Sequence, residues 1–275
     1  MTDQEKQIAY ENEEKRIAAT ISDIKHRIAV FSGKGGVGKT TVSVNLAYSF
    51  QLEGFSTGIL DADITGPNVP KMLGIGGEVI VLNEVMVPFE KYGLKMMSID
   101  ALIKPGQAVI WRGPMRSKVI NQFLADVEWG QLDYLIADLP PGTGDEILTI
   151  AQQMKPDVAI IVTTPQEVSI IDAERSVNMA MQLGIPYIGI VENMAGYVCP
   201  HCSAVVELFG AGGGRKLADK HNLPFLGSIP ITLNTRISGD SGKPVVLENP
   251  ESEVTSIFKS IVNTITEHYQ EKLKK

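Results

Sequence analysis

One stretch restricts this chain more than any other: Gly33-Lys34-Gly35-Gly36-Val37-Gly38-Lys39-Thr40. It fits the pattern G-x-x-x-x-G-K-[ST], and its surroundings fit as well, since residues 28–31 read as an apolar strand and residues 40–52 as a helix. The glycines let the backbone curl until several N–H groups point inward, which makes a cradle for an anion. The helix that follows adds its positive N-terminal end. Lys39 brings a point charge to terminal phosphates, and the Thr40 hydroxyl is a hard oxygen of the kind Mg²⁺ prefers. The expected ligand is therefore ATP with Mg²⁺, held by Gly33 to Thr40 together with Thr41. Lys34 is unusual: from the second position it cannot easily turn back onto its own phosphates, but it can reach a nucleotide on a neighbouring subunit. A solvated loop lysine is the plainer alternative.

Short Val- and Ile-rich runs alternate with helical stretches beyond the loop. The runs cover residues 28–31, 57–60, 94–99, 134–137, 158–163, 187–191 and 225–229. They are continuously apolar, as strands covered on both faces are. Helices are expected at 40–52, 115–127, 146–154, 168–183 and 213–220. This rhythm predicts an α/β fold, a mostly parallel sheet with helices on both faces. Residues 1–26 read as a helical extension with a narrow stripe of Tyr10, Ile17, Ile21 and Ile24, and residues 27–275 as the main domain. Within the domain, 74–91 suggests a small edge hairpin around Asn83, and 193–214 an irregular insert. Residues 252–273 form an amphipathic helix with a weakly basic tip at Lys272, Lys274 and Lys275.

A net charge of -7 argues against a nucleic-acid partner. No apolar run approaches the roughly 20 residues of a membrane-spanning helix, and the charged N-terminus has no signal-peptide core. A cytoplasmic protein without stable membrane insertion is expected. In that compartment the cysteines, Cys199 and Cys202, read as a metal or redox pair before a structural disulfide. His201 between them reads as a spacer. Residues 134–138 form an apolar strand ending in Asp138, placed to hold Mg²⁺, and the turn Pro140-Pro141-Gly142-Thr143-Gly144 follows. Asp61 and Asp63 close the second strand at the same sheet edge, where ligands bind in open α/β sheets.

The second lysine at position 34 resembles the deviant Walker A proteins: MinD, ParA, the nitrogenase iron protein and the arsenical-pump ATPase. The resemblance implies a face-to-face homodimer in which Lys34 touches the partner's ATP. It also implies that Asp63 orients the attacking water and that Asn193 reads adenine. Catalysis would then fall to Lys34, Lys39 and Asp63. A narrower likeness covers residues 27 to 260. The stretch from Gly58 to Pro70, the tetrad Trp111-Arg112-Gly113-Pro114, residues 132–145, and Glu192-Asn193-Met194 followed by Cys199-Pro200-His201-Cys202 all resemble the Mrp (ApbC) family. That family implies an ATP-hydrolysing carrier of iron–sulfur clusters that hands them to apo-proteins. Independently of it, a [4Fe-4S] cluster takes four thiolates, and a two-fold dimer supplies four from two pairs. Zinc fits the same four sulfurs. No cysteine precedes Cys199, so no second cluster is expected. The rival reading is a MinD- or ParA-like positioning ATPase acting on a membrane or DNA, with zinc on the cysteines.

Overall fold

The computed structural model describes residues 2–64, 66–102, 113–199, 201–202 and 204–273. Trp111, Arg112, Pro200, Lys274 and Lys275 lie outside the described residues. Helix α1 (Asp3–Ser22) leads into β1 (Ile24–Phe31), the phosphate loop and α2 (Lys39–Leu52). Next come β2 (Thr57–Asp61), α3 (Val69–Leu73), a hairpin of β3 (Ile80–Leu82) and β4 (Val85–Val87), then β5 (Phe89–Lys91) and β6 (Leu94–Ser98). Helix α4 (Gly113–Ala125), β7 (Leu132–Asp138), α5 (Asp145–Gln153), β8 (Val158–Thr163) and α6 (Glu167–Gln182) follow. The remainder is β9 (Tyr187–Val198), β10 (Val205–Val206), α7 (Gly213–His221), β11 (Phe225–Ile231), α8 (Leu233–Ser241), α9 (Val245–Glu248) and α10 (Glu253–Leu273).

The main sheet runs β11-β9-β8-β1-β7-β2-β6-β5, with β10 on the far end of β9. Its pairings are parallel except β5 with β6 and β10 with β9. Each central strand feeds two cores, and side chains alternate between them. In β1, Ala29 and Phe31 join a core with Ile17, Phe123, Trp129, Ile147 and Leu217. Ile28 and Val30 join the other, with Tyr48, Phe50, Phe258 and Ile261. That double burial is why the strands read as unbroken apolar runs. The apolar side of α10 is spent in the second core: Val254, Phe258, Ile261, Val262 and Ile265 are all buried. Phe258→Ala removes a fully packed ring from this seam and is expected to cost about 3–5 kcal/mol, read as a lower midpoint in urea unfolding.

Three expectations change. Ile24 belongs to β1, not to the N-terminal helix, so the sheet begins inside the stretch read as an extension. On α1 only Ile17 is buried, while Tyr10 is 55% exposed. Ile17 enters the core with Ile21 packed against it, and two polar contacts add to that hold, Arg16 to Asp126 and Gln153 to Glu14. Asn193 is not in an irregular insert but in β9, which continues to Val198. Strand β8 pairs with β9 only as far as Glu192, and past that point β9 is held by β11 and β10. The small hairpin is present, with Asn83 and Glu84 in the left-handed region at its turn. Helices α3, α8 and α9 have no counterpart in the sequence reading.

Candidate functional site

Strand β1 delivers the chain to Ser32 at the C-terminal edge of the sheet, and the glycine loop turns it into α2. Gly36 and Gly38 have φ of 82° and 80°, a conformation that a Cβ disfavours. Gly38 is the N-cap of α2 and no side chain caps that helix, which leaves its first-turn amides directed at the loop. Gly33 needs its hydrogen for another reason. A Cβ there would lie 2.2 Å from the carbonyl carbon and oxygen of Asp172 on α6, and backbone cannot yield. Gly33→Ala is expected to push the loop off α6 and weaken ADP binding by about tenfold or more, about 1.4 kcal/mol, in calorimetric titration.

Three side chains from this loop and helix converge on the end of β7. Lys39 Nζ lies 2.8 Å from Asp138 Oδ1, with both side chains buried. The Thr40 hydroxyl donates to Asp138 Oδ2 at 2.7 Å, and the Ser43 hydroxyl donates to Oδ1 at 2.5 Å. Thr40 and Asp138 thus present hard oxygens side by side, a donor set that fits Mg²⁺.

Asp61 is the register partner of Asp138 on the adjoining strand. Its carboxylate accepts from the Ser98 hydroxyl at 3.1 Å and from the amides of Asp63 and Val69 at 3.2 and 3.3 Å. Asp61 therefore shapes the turn after β2. Burial, and then the negative charge of Asp138, push its carboxyl well above the usual carboxylate range, with Lys39 opposing.

A cavity of about 550 Å³ opens over the loop. Lys34, the stretch from Gly35 to Thr41, and Asp63 line it, as does Pro141 from the turn after β7. Lys34 is half-buried and faces the chain's own cavity. The far wall was not legible in the sequence: Lys71 and Met72 come from α3, and Thr235, Arg236, Gly239 and Asp240 from α8. Gly33, Asp138 and Asn193 are not among its lining residues. The Asn193 amide donates to the Val37 carbonyl at 2.8 Å, beneath the loop.

The two thiols sit where β9 turns into β10. Cys199 is half-buried and Cys202 exposed, and neither is in a disulfide. The Cys199 amide donates to the Ala204 carbonyl at 2.9 Å. Hydrogen bonds from the backbone amides of His201 and Cys202, then from the Cys202 side chain, draw the Cys199 thiol below its ordinary range. That favours the thiolate, the form that ligates metal. Val198, Val205, Val206 and Leu208 expose apolar surface around the pair. Among the described residues no group of three or more His, Cys, Asp or Glu side chains forms a metal site. Sequence reasoning quoted Glu192 within a motif without seeing its structural part. This buried carboxylate accepts from the amides of Gly212 and Gly214 at 3.2 and 2.6 Å and anchors the return of the chain into α7.

A glycine loop between strand and helix, with Lys39 and Thr40 meeting an acid at the end of a parallel strand, defines a P-loop NTPase. The family model for the ParA: NUBPL iron-transfer P-loop NTPases matches residues 23–266. The chain belongs to that family of ATP-binding proteins. It is 49% identical over 265 residues to an iron-sulfur cluster carrier protein of Methanocaldococcus jannaschii, covering 94% of this chain and 90% of the relative. It is 46% identical over 257 residues to an iron-sulfur cluster carrier protein of Synechocystis, covering 90% and 73%. Among solved structures, the nucleotide-binding protein of Archaeoglobus fulgidus in complex with ADP aligns with a TM-score of 0.77 and 40% identity, over 89% of this chain and 96% of the other. The cell division ATPase MinD of Pyrococcus furiosus aligns with a TM-score of 0.65 at 21% identity, covering 88% and 99%, a likeness of fold.

Proposed function

We propose that this chain is a cytoplasmic, homodimeric ATPase that carries an iron–sulfur cluster on Cys199 and Cys202 and delivers it to apo-proteins. The single observation that carries the proposal is the C-x-x-C pair at the end of β9, with Cys202 exposed and the half-buried Cys199 thiol drawn toward thiolate, in a chain whose other site is a P-loop. Two thiols fill half of a [4Fe-4S] ligand set, and a two-fold axis through this hairpin completes it. The apolar side chains around the pair supply surface for that contact. Exposure suits a cargo that must leave.

The phosphate site has the parts for hydrolysis. Lys39 and the bare amides of α2 hold the terminal phosphates, and Thr40 with Asp138 would hold Mg²⁺, which neutralises charge on the transferring group. Asp63 orients water, and Lys34 of each copy swings to the other's nucleotide. Turnover is slow, because hydrolysis serves to shift populations between dimer conformations.

Anaerobic reconstitution of the full chain with iron and sulfide tests this. The expected product is a brown dimer with cluster absorption and one cluster per two chains. A protein that stays monomeric and takes up only zinc would refute the carrier reading. The rival positioning role predicts ATP-dependent co-sedimentation with liposomes or DNA. The buried apolar side of α10 weighs against that rival, since the side chains a membrane would need are already packed on the sheet. Among the described residues no helix is long and apolar enough to cross a membrane.

A further inference from the structure

At the opposite end of the sheet from the thiol hairpin, the chain leaves one aliphatic strand uncovered. Strand β5 closes that end, and the β3–β4 hairpin runs into it through Pro88. We infer that β3 is a docking strand for a protein partner, one that adds an extended aliphatic segment flanked by lysine or arginine to its outer edge. The inference goes beyond the proposed cargo role and does not depend on it.

In a strand with one buried face, every second side chain points inward. Strand β3 breaks that rule: Ile80, Val81 and Leu82 are 61%, 55% and 59% exposed. Val85, the register partner of Leu82 on β4, is exposed too. The hairpin is nonetheless fixed to the domain. Met86 is buried, its amide donates to the Asp126 carbonyl at 2.7 Å, and its carbonyl accepts from the Glu128 amide at 2.9 Å. Ahead of β3, the Val79 amide donates to the Ala101 carbonyl at 3.1 Å. The bonds at Met86 occupy the outer side of β4. Among the described residues β3 pairs with β4 alone, so its other edge keeps open donors and acceptors. Such an apolar edge is a template for a further strand, and main-chain bonds to it are a recurring way to hold an extended peptide.

Charge selects the partner. From Leu73 to Glu90 the chain carries Glu78, Glu84 and Glu90 and no basic residue. Glu90 is the register partner of Lys95, which leaves Glu78 and Glu84 flanking the two ends of β3. Glu128, bonded through its backbone to Met86, and Asp100, beside Ala101, add two more exposed carboxylates. None of these four has an ion-pair partner among the described residues. Lys91 is committed elsewhere, to the Leu73 and Gly74 carbonyls at 2.7 and 3.0 Å. An aliphatic strip with such a rim repels a second copy of itself, which would bring its own acids to the same edge. It also repels the phosphates of membranes and nucleic acids. A strand of aliphatic residues between basic ones buries the strip and neutralises the rim at once.

The test uses the full chain and a fluorescent peptide, Lys-Lys-Val-Thr-Val-Ile-Val-Lys-Lys, followed by anisotropy. Binding is expected to saturate below about 1 mM peptide, with amides from Ile80 to Leu82 gaining protection in hydrogen exchange. A peptide with glutamate in place of every lysine should bind about fivefold or more weakly, the sum of several exposed charge pairs. One with proline at the central valine should not bind, since it loses a main-chain donor. Val81→Lys, which puts a charge on the strand, should abolish binding. Where that variant disturbs the hairpin, Glu78→Lys with Glu84→Lys carries the test, and the preference should turn toward the acidic peptide. ADP titration checks that each variant is folded. A basic peptide that does not saturate below about 1 mM overturns the inference and leaves Glu78 and Glu84 as mere guards of an edge. Equal affinity for both peptides overturns it, and so does binding that survives Val81→Lys. Self-association of the chain that Val81→Lys dissolves would give the strand to a second copy and overturn it as well. Cluster assembly by Val81→Lys is expected to match the wild type, so this reading and the carrier reading fail separately.

Discussion

Lys39→Ala is expected to lower ATP affinity by at least about a hundredfold, about 2.7 kcal/mol, in calorimetric titration. The lysine is the charged partner of the terminal phosphates, and a charge-assisted hydrogen bond of that kind is worth about 1.5–3 kcal/mol. The substitution should do more than that. Lys39 is paired with Asp138 in the structure, and Asp138 lies beside the buried Asp61. Removing the cation leaves two neighbouring carboxylates without it, and breaking a buried pair in this way typically costs about 3–5 kcal/mol. A lower melting temperature should therefore accompany the lost binding. The sign of the pH response follows from Asp61. Its folded carboxyl is raised by burial and by Asp138, so the folded chain binds that proton more tightly than the unfolded one. The resulting stability is full below the ordinary carboxylate range and is lost as pH rises through the raised value. Lys39 opposes this shift, so the variant should be the more sensitive of the two to rising pH. A variant that binds ATP as the wild type does would remove the phosphate site from its assigned place.

Cys199→Ala should abolish the brown chromophore on anaerobic reconstitution while ATP titration remains within a factor of about two, since independent distant sites couple weakly unless a shared element links them. Each dimer would lose two of its four sulfurs, and an incomplete thiolate set does not hold the cluster. Cys202→Ser, on the exposed member of the pair, should give the same loss. Full cluster absorbance in the Cys199 variant would mean that the sulfurs come from elsewhere. An iron count matching the wild type, with altered absorption, would count against the assignment equally.

The parts of this molecule that were legible in the sequence are those written in contiguous residues. The loop from Gly33 to Thr40 announces itself because backbone curl, charge and hydroxyl come from one short run. Strands such as Val158–Thr163 were legible because two-sided burial leaves an unbroken apolar signature. Helix α8 was not: it holds nine residues, includes Gly239, and buries only Ser238 fully, so no apolar stripe marks it. Yet it supplies most of the far cavity wall. Ile24 was misread because an isoleucine at helical spacing after Ile17 and Ile21 can equally open a strand. The bond from Asn193 to Val37 spans 156 positions and leaves no local trace. The structural part of Glu192 escaped for the same reason: its partners, Gly212 and Gly214, are brought to it by the fold.

Strand β9 outruns β8 at Glu192, stays paired with β11 as far as Tyr197, and ends in the hairpin that bears the thiols, so that hairpin overhangs the end of β8. Parts mounted this way are interchangeable. A lineage could lengthen the overhang, trade its apolar rim or replace its two cysteines, and the P-loop domain beneath would keep its core. A tip grafted from one relative onto another would leave the root intact wherever Asn193 keeps its bond to the phosphate loop and Glu192 its bonds to Gly212 and Gly214.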